Sequence, residues 1–286
     1  MEVTVTKLQS TSFRSILMGA AVTAMLAAVV MVSPVPAQWL NYPTAGVPKA
    51  ANGSPNLTAP TPRTSDGKPD LSGLWTVMCP TANGPVLCLP EIAVPRDFAD
   101  IGRSLSGGLP YQPWAADIVK ARRAENGKDD PFTHCLPGSV ARIHTVPLLR
   151  KIVQTPGLVI FLSETNASYR QIFTDGRPLP QDPNPSWNGY STGHWDGNTL
   201  VVETNGFLDG QWLDRWGSPL TDKAKMTEKF RRPNYGTLEI ELTVDDPKAY
   251  TKPWTIQLSQ SIVLNSELMD FICLENEKDF PHLVGK

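Results

Sequence analysis

The stretch MTEKFRRPNYGTLEIELTVDD, residues 226–246, decides the fold class. In its second half, apolar side chains alternate with polar ones, at Leu238, Ile240, Leu242 and Val244. A period of two predicts a β-strand with one dry and one wet face. The residues 233–236 that precede it, Pro-Asn-Tyr-Gly, have turn chemistry, and the run Met226 to Phe230 lies before them. The stretch therefore predicts two strands joined by a turn.

The same rhythm of short apolar or alternating runs and turn signals extends from Leu148 to Trp254. The turn signals follow one another too closely for most connections to hold a crossover helix, so the strands are predicted to pair antiparallel. A ladder of about eight to ten such strands leaves two exposed edges unless it closes on itself. Closure into a barrel is therefore expected.

A Gly-x-Trp tripeptide, Gly73 to Trp75, opens the first predicted strand, Leu71 to Met78. In lipocalin-like barrels, glycine at this place lets the backbone pass close below the barrel while the indole closes its end. One amphipathic helix is predicted from Pro113 to Asn126, against the barrel or across one mouth. The expected fold is all-β, an antiparallel up-and-down barrel of lipocalin or calycin type with one short helix.

The N-terminal residues are typical of an export signal. Lys7 and Arg14 precede an apolar stretch, Ile16 to Val32, and residues 35–37 fit a cleavage site. We therefore expect a signal peptide at 1–37, an extended leader rich in Pro, Ser and Thr at 38–65, and a barrel domain at 66–286. The leader fits ordered coil around the barrel equally well. The expected location is the periplasm or the exterior, with no membrane span after cleavage; an uncleaved anchor is the alternative.

The charge of the chain is nearly balanced. It has 26 Lys and Arg residues against 28 Asp and Glu residues, a formal net charge of −2. No basic run is available to grip a polyanion or an anionic membrane, so nucleic acid is not an expected partner.

Four cysteines in an exported chain predict disulfides. Proximity favours a Cys79–Cys88 bridge, which leaves Cys135 to pair with Cys273, although three pairings exist. A zinc site is disfavoured because no Cys-x-x-Cys pair occurs. No metal site and no cofactor are predicted.

Glu228 is the first candidate for chemistry. It shares a strand face with Met226 and Phe230, so a carboxylate is expected among apolar side chains. Burial would raise its pKa and make it a candidate general acid or base. The alternatives are a face reversed near the barrel rim and a structural pair with an arginine.

Two histidines are further candidates for acid–base chemistry or metal binding, His144 and His194. His144 shares one face of a predicted extended segment with Arg142, and His194 shares another face with Tyr190. Most isolated histidines have neither role. The expected ligand-binding residues combine aromatic walls with polar groups, as in a barrel mouth, with Trp212 to Trp216 as a flap: Arg142, Arg170, Tyr190, Trp195, Trp212 and Trp216.

Several long phrases resemble a large group of exported bacterial proteins: DGKPDLSGLW at 66–75, YRQIFTDGR at 169–177, GHWDGNTLVV at 193–202 and DPKAYTKPW at 246–254. The resemblance implies a setting in the bacterial envelope and a calycin-like barrel, but it carries no catalytic residues. The group often has His where this chain has Tyr190 and Leu220, and Arg where it has His194. Shared histidine chemistry is therefore not expected.

The predicted function is binding of a small, largely apolar or aromatic molecule. One alternative is an enzyme, such as a lyase, isomerase or hydrolase, that acts on such a molecule by acid–base chemistry. A second is a barrel plugged by its own side chains that acts as an interaction protein of the envelope. An interior cavity of roughly 300 Å³ would be needed for the first two. The oligomeric state is left open.

Overall fold

The computed structural model describes residues 42–79, 86–87, 96–275 and 278. The predicted signal peptide, residues 1–37, lies outside the described residues, and so does Cys88 of the predicted Cys79–Cys88 bridge. None of the described helices is long and apolar enough to cross a membrane.

The described residues form twelve strands and three helices. The strands are β1 (Gly73–Cys79), β2 (Val86–Leu87), β3 (Arg150–Thr155), β4 (Leu158–Ser163), β5 (Ser168–Phe173), β6 (Tyr190–Asp196), β7 (Thr199–Asn205), β8 (Gln211–Trp212), β9 (Pro219–Leu220), β10 (Lys225–Asn234), β11 (Thr237–Asp245) and β12 (Trp254–Ile262). The helices are α1 (Arg96–Ala99), α2 (Pro113–Ala124) and α3 (Val140–Thr145).

Nine of these strands close into a barrel, in the order β1-β3-β4-β5-β6-β7-β10-β11-β12. The ring closes where β12 pairs antiparallel with β1, with Trp75 opposite Ile262 and Val77 opposite Gln260. The prediction of an all-β barrel is confirmed. Closure satisfies the backbone groups that an open ladder would leave on its two edges.

One pair of barrel strands departs from the antiparallel prediction. β5 and β6 run parallel, with Ile172 opposite Ser191 and Phe173 opposite Thr192. A parallel pair needs a connection that returns along the strands, and residues 174–189 provide it with four prolines. The Asp-Gly signal at 175–176 predicts a tight turn, but this proline-rich return decides the direction of β6.

The barrel interior follows the predicted alternation. Leu238, Ile240, Leu242 and Val244 are fully buried. At the start of β1, the Trp75 indole is buried and its N–H donates to the carbonyl of Leu71 at 3.0 Å. These positions fill the interior with large side chains.

Glycine is required two residues before Trp75. Gly73 has φ +144°, and a Cβ there would lie 3.3 Å from Nε1 of Trp75. An L-residue would be strained in this conformation and crowded by the indole. The close backbone approach expected from the Gly-x-Trp tripeptide is therefore present.

The predicted helix forms as α2, and two shorter helices accompany it. α2 lies beside the β11–β12 connection, where the Trp114 indole N–H donates to the carbonyl of Lys248 at 2.7 Å. The expectation of a single helix is wrong, because α1 and α3 also form. α3 begins after Ser139, whose hydroxyl accepts the backbone N–H of Arg142 at 3.3 Å. This N-cap signal is visible in the sequence, but the helix is only six residues long.

The coil before β1 hydrogen-bonds to the barrel. The backbone N–H groups of Tyr235 and Gly236, in the β10–β11 turn, donate to the carbonyls of Ala59 and Leu57, each at 2.8 Å. Further along, Arg63 donates a side-chain hydrogen bond to Asn198 in the β6–β7 turn at 3.0 Å. Residues 57–69 therefore run across the end of the barrel that carries these turns.

A disulfide joins Cys135 to Cys273, with the Cα atoms 5.4 Å apart. It links the coil between α2 and α3 to the segment that follows β12. Asn166 lies between these two segments, because its side chain donates to the carbonyl of Cys135 and accepts the N–H of Cys273, both at 3.3 Å. The predicted Cys135–Cys273 pairing is confirmed, and such bridges are typical of oxidising compartments.

We expect removal of the disulfide to lower the stability of the fold. The bridge spans a sequence separation of 138 residues, so the chain-entropy relation gives it about 4 to 5 kcal/mol of stabilisation. The variants Cys135→Ser and Cys135→Ser/Cys273→Ser should both unfold at lower urea concentration than the native chain, and by similar amounts. Unchanged midpoints would contradict this expectation.

Candidate functional site

Glu228 lies in the barrel interior, on β10 between Met226 and Phe230. It pairs with Val202 on β7 and Leu242 on β11, and its side chain is 0 % exposed. The carboxylate therefore faces the core, the orientation that the strand alternation predicts.

Arg170 and His144 both bind the Glu228 carboxylate. Arg170 binds it with two nitrogens, Nη1 to Oε1 at 3.0 Å and Nη2 to Oε2 at 2.5 Å. His144 donates from Nε2 to Oε1 at 2.7 Å. The Arg170 guanidinium also donates to the hydroxyls of Ser191 and Thr204. These five residues, which we call the buried network, join β5, β6, β7 and β10 to α3.

The buried network keeps Glu228 ionised. Burial by itself would raise the pKa of the carboxyl, but the positive charge of Arg170 and the hydrogen bonds from His144 and Arg170 lower it to about 2. The expected raised pKa is therefore wrong, and the alternative of a structural pair with an arginine is confirmed, with Arg170 as the partner. A carboxylate held in this way is a poor general acid near neutral pH.

His144 is held neutral with its other nitrogen free. Burial lowers the pKa of the imidazole, and this effect outweighs the opposing influence of Glu228. Since Nε2 donates to Glu228, Nδ1 carries the lone pair. Nδ1 is buried and has no hydrogen-bond partner among the described residues. The ring packs edge-on against Phe161 and Phe230.

Arg150 fixes the position of α3, and therefore of His144. Its buried guanidinium donates to the carbonyls of His144 and Val146, at 3.0 and 2.9 Å. Burial lowers the pKa of Arg150 to about 9. Gln260 on β12 donates to the same His144 carbonyl at 3.2 Å. Arg150 was not among the predicted site residues, although it alternates with Ile152 on the inward face of β3.

The cavity beside the buried network is very small. It measures about 10 Å³ and is lined by His144, Arg150, Arg170 and Phe161, among others. This is room for one water molecule. A drug-sized ligand needs roughly 300 Å³ or more, so this cavity does not accommodate the expected interior ligand.

Arg142 does not share a site with His144. The two lie on α3 rather than on an extended segment, and two helical positions are about 200° apart around the axis. The prediction of a common face is therefore wrong. Arg142 instead forms a buried two-point ion pair with Asp130, at 2.7 and 2.6 Å. Its guanidinium lies over the rings of Phe98 and Phe132.

His194 and Tyr190 lie away from the buried network. His194 is exposed on β6, and Tyr190 stacks on Phe173 with ring centroids 5.4 Å apart. The Tyr190 hydroxyl accepts a hydrogen bond from Arg177 at 3.2 Å. The two predicted catalytic histidines are therefore not brought together.

Two of the predicted aromatic residues border open clefts: Trp195, and Trp212 beside α2, whose cleft measures about 420 Å³. Through its pairing with Leu200, Trp195 lies on the inward face of β6, and it packs against the core. It lines a cleft of about 390 Å³, together with the turn at 64–68, the β3–β4 turn, Val159 and Thr174. We call this the end cleft.

The other two predicted tryptophans pack against α2. The Trp212 ring is buried, with the Arg122 guanidinium 4.4 Å from its centroid, and Arg123 lies 5.4 Å from that of Trp216. Asp214 between them accepts hydrogen bonds from Ser218 and from the N–H of Ile101. The segment expected as a flap thus packs against α2.

The described residues show no metal-binding site. No group of three or more His, Cys, Asp or Glu side chains among those residues is arranged to hold a metal ion.

Because Glu228 forms a buried ion pair, we expect neutralisation of its carboxylate to lower the stability of the fold strongly. Glu228→Gln leaves the Arg170 charge buried without its partner, so the free energy of unfolding should fall by about 3 to 5 kcal/mol. Urea denaturation at neutral pH measures it. The matched control is Glu241→Gln, because Glu241 pairs with Lys229 on the outer face and should matter by less than about 1 kcal/mol. Equal losses in the two variants would contradict the role of the network.

Because His144 is buried in its neutral form, we expect acidification to destabilise the fold. The pKa of His144 is lowered in the folded chain, whereas the unfolded imidazole binds a proton near pH 6.5. The unfolded state therefore binds more protons below that pH, and stability should decline from pH 7 to pH 5. His144→Gln should reduce this decline, measured by urea denaturation at several pH values.

The control for this pH dependence is His194→Gln, because His194 is exposed. This variant should keep the pH dependence of the native chain. An unchanged slope in His144→Gln would refute the assignment to His144. Glu228 does not interfere, since its contribution is lost only below about pH 4.5.

Comparison of the chain with models of protein families finds no match. No curated protein matches it. No solved structure matches it either. The functional conclusion is therefore argued from the geometry of the end cleft and the buried network.

Proposed function

We propose that this protein is an exported β-barrel that binds a small, largely apolar or aromatic molecule in the end cleft. The observation that carries the proposal is the position of the Trp195 indole on a cleft of about 390 Å³. Small-molecule sites have volumes of about 300 to 1,000 Å³ and combine apolar walls with a few polar groups. The end cleft meets both conditions.

The proposed ligand site lies at the end of the barrel and not in the interior, where the sequence predicts it. The cavity beside the buried network offers about 10 Å³, and the interior around it is occupied by large side chains such as Trp75 and Phe230. A ligand of ordinary size therefore fits at the end cleft and not beside the network.

The lining of the end cleft favours a ring compound with polar substituents. Trp195, Val159 and Pro156 supply apolar surface. Asp66 and Lys68, which also line the cleft, have opposite charges, so they favour a ligand without net charge. An aromatic ring stacked on the indole would gain about 0.5 to 1.5 kcal/mol beyond its burial.

A larger cleft of about 520 Å³ fits this ligand less well. It is lined by apolar side chains such as Leu74 and Ile262, but also by the charged side chains of Lys151, Arg232 and Glu267. Lys151 and Glu267 already pair with each other, and Arg232 donates to the carbonyls of Asp70 and Tyr235. Its polar groups are thus largely engaged within the protein.

Two observations support a location in the periplasm or outside the cell. The Cys135–Cys273 bridge is typical of an oxidising compartment. Residues 1–37 have the composition of an export signal. A net charge of −2 does not favour nucleic acid as a partner.

A plugged barrel that acts as an interaction protein of the envelope is the second candidate function. The filled interior favours it, because a barrel without a usable cavity presents only its outer surface to partners. The two candidates differ in one measurable respect. The first binds small aromatic compounds at the end cleft, and the second does not.

Binding of 2-naphthol tests the proposal. Calorimetric titration of the mature chain should detect binding, and Trp195→Ala should weaken it at least about tenfold, equivalent to 1.4 kcal/mol. The matched control is Trp114→Ala, which removes an exposed indole on α2 outside the end cleft. It should leave the affinity within about twofold.

A blocking variant separates loss of the cleft from loss of the fold. Ser65 is exposed and lines the cleft, so Ser65→Arg should reduce the volume without disturbing the core. It should weaken 2-naphthol binding while the urea midpoint stays unchanged. Undiminished binding in both Trp195→Ala and Ser65→Arg would refute the end cleft as the site. Absence of binding to the native chain would favour the plugged barrel.

A further inference from the structure

The buried network contains a polar atom that the fold leaves unused. Nδ1 of His144 is buried and has no partner among the described residues. His144 lines the cavity of about 10 Å³, which shares no lining residue with the end cleft. A buried acceptor without a hydrogen bond destabilises the folded state. A partner for this atom is therefore expected.

The buried network decides that Nδ1 acts as an acceptor. The Glu228 carboxylate takes the Nε2 proton at 2.7 Å and is itself bound by Arg170. A neutral imidazole with its proton on Nε2 presents only a lone pair at Nδ1. The missing partner must therefore be a hydrogen-bond donor.

The charges around the cavity restrict the kind of donor. Arg150 and Arg170 both line it, and their guanidinium groups are buried. A cationic donor such as an ammonium group would meet two positive charges there. An anion without a proton to donate would be repelled by the lone pair of Nδ1. A neutral hydroxyl satisfies the acceptor without either conflict.

The rest of the cavity lining is mostly apolar. Val140, Ile143, Phe161 and Leu162 line it together with Ser163 and Ser168, and Tyr169, which also lines it, is 64 % exposed. The volume admits one water molecule. If Leu162 or Tyr169 moves aside, the same walls suit the apolar body of a small alcohol or phenol.

We infer that the cavity is a binding site for a neutral hydroxyl group that donates to Nδ1 of His144. The hydroxyl belongs either to a water molecule or to a small alcohol or phenol. An imidazole oriented by a carboxylate polarises a hydroxyl hydrogen-bonded to its other nitrogen, as in carboxylate–histidine pairs that activate nucleophiles. His144 rather than Glu228 is thus the group suited to acid–base chemistry. Glu228 is a positioning residue, because it orients the imidazole.

A crystal structure of the native chain at high resolution, together with nitrogen NMR of its histidines, tests the site. We expect oxygen density about 2.7 to 3.2 Å from Nδ1 and a proton on Nε2 but not on Nδ1. An empty cavity at Nδ1, or a proton on that nitrogen, would overturn the inference.

Phenol and toluene distinguish the two sources of the hydroxyl. They have similar shapes, but only phenol donates a hydrogen bond. Leu162→Ala widens the cavity outside the buried network. If the site takes ligand hydroxyls, phenol should shift the Nδ1 resonance of His144 in this variant and toluene should not. If phenol has no effect while the native crystal shows the oxygen, the bound hydroxyl is water.

Two further variants connect the signal to His144 and separate it from the end cleft. Adding His144→Phe to Leu162→Ala removes the acceptor and should weaken phenol binding by about tenfold or more. Adding Trp195→Ala instead should leave the phenol-induced shift of Nδ1 unchanged, because the two sites share no lining residue. Loss of that shift in the Trp195→Ala background would contradict an independent site at His144.

Discussion

The ion pair between Arg170 and Glu228 is the interaction on which the interior of this barrel depends. Its two residues lie on β5 and β10, and both side chains are buried. A single charge in that position would be prohibitively unfavourable, so each residue requires the other. The pair also decides the state of His144, because an ionised Glu228 accepts the Nε2 proton and leaves Nδ1 as a lone pair. This ion pair therefore links β5 to β10, helps to hold α3 through His144, and fixes which imidazole nitrogen carries the proton.

Packing then determines where a ligand can lie. Trp75, Phe161 and Phe230 fill space that lipocalin-type carriers would use for cargo, and the cavity beside the network is the size of one water molecule. Larger space is found where coil and turns meet the barrel, and the indole of Trp195 faces one such cleft. The hydroxyl site that we propose at His144 and the apolar site that we propose at Trp195 therefore lie in separate parts of the barrel.

Local patterns in the sequence were sufficient for the features that depend on neighbouring residues. Alternation placed Glu228 inside with Met226 and Phe230, and Gly73 before Trp75 indicated the close backbone approach. The same local reading failed at α3, where residues near His144 resemble an extended segment. A helix of six residues gains little from its own hydrogen bonds. Its Ser139 cap and the buried Arg150 beneath its carbonyls stabilise it, and the second of these is a tertiary contact.

The sequence by itself determined most of the barrel strands, their inward faces and the closure into a barrel, because alternation can be read directly along the chain. It favoured the Cys135–Cys273 pairing without deciding it, because four cysteines allow three pairings. Only the tertiary structure decided the parallel β5–β6 pair and the ionised state of Glu228. The partners of that carboxylate lie 58 and 84 positions away in the chain. Burial alone predicts a raised pKa, whereas burial beside a guanidinium lowers it. The sign of that shift depends on a contact that no local pattern encodes.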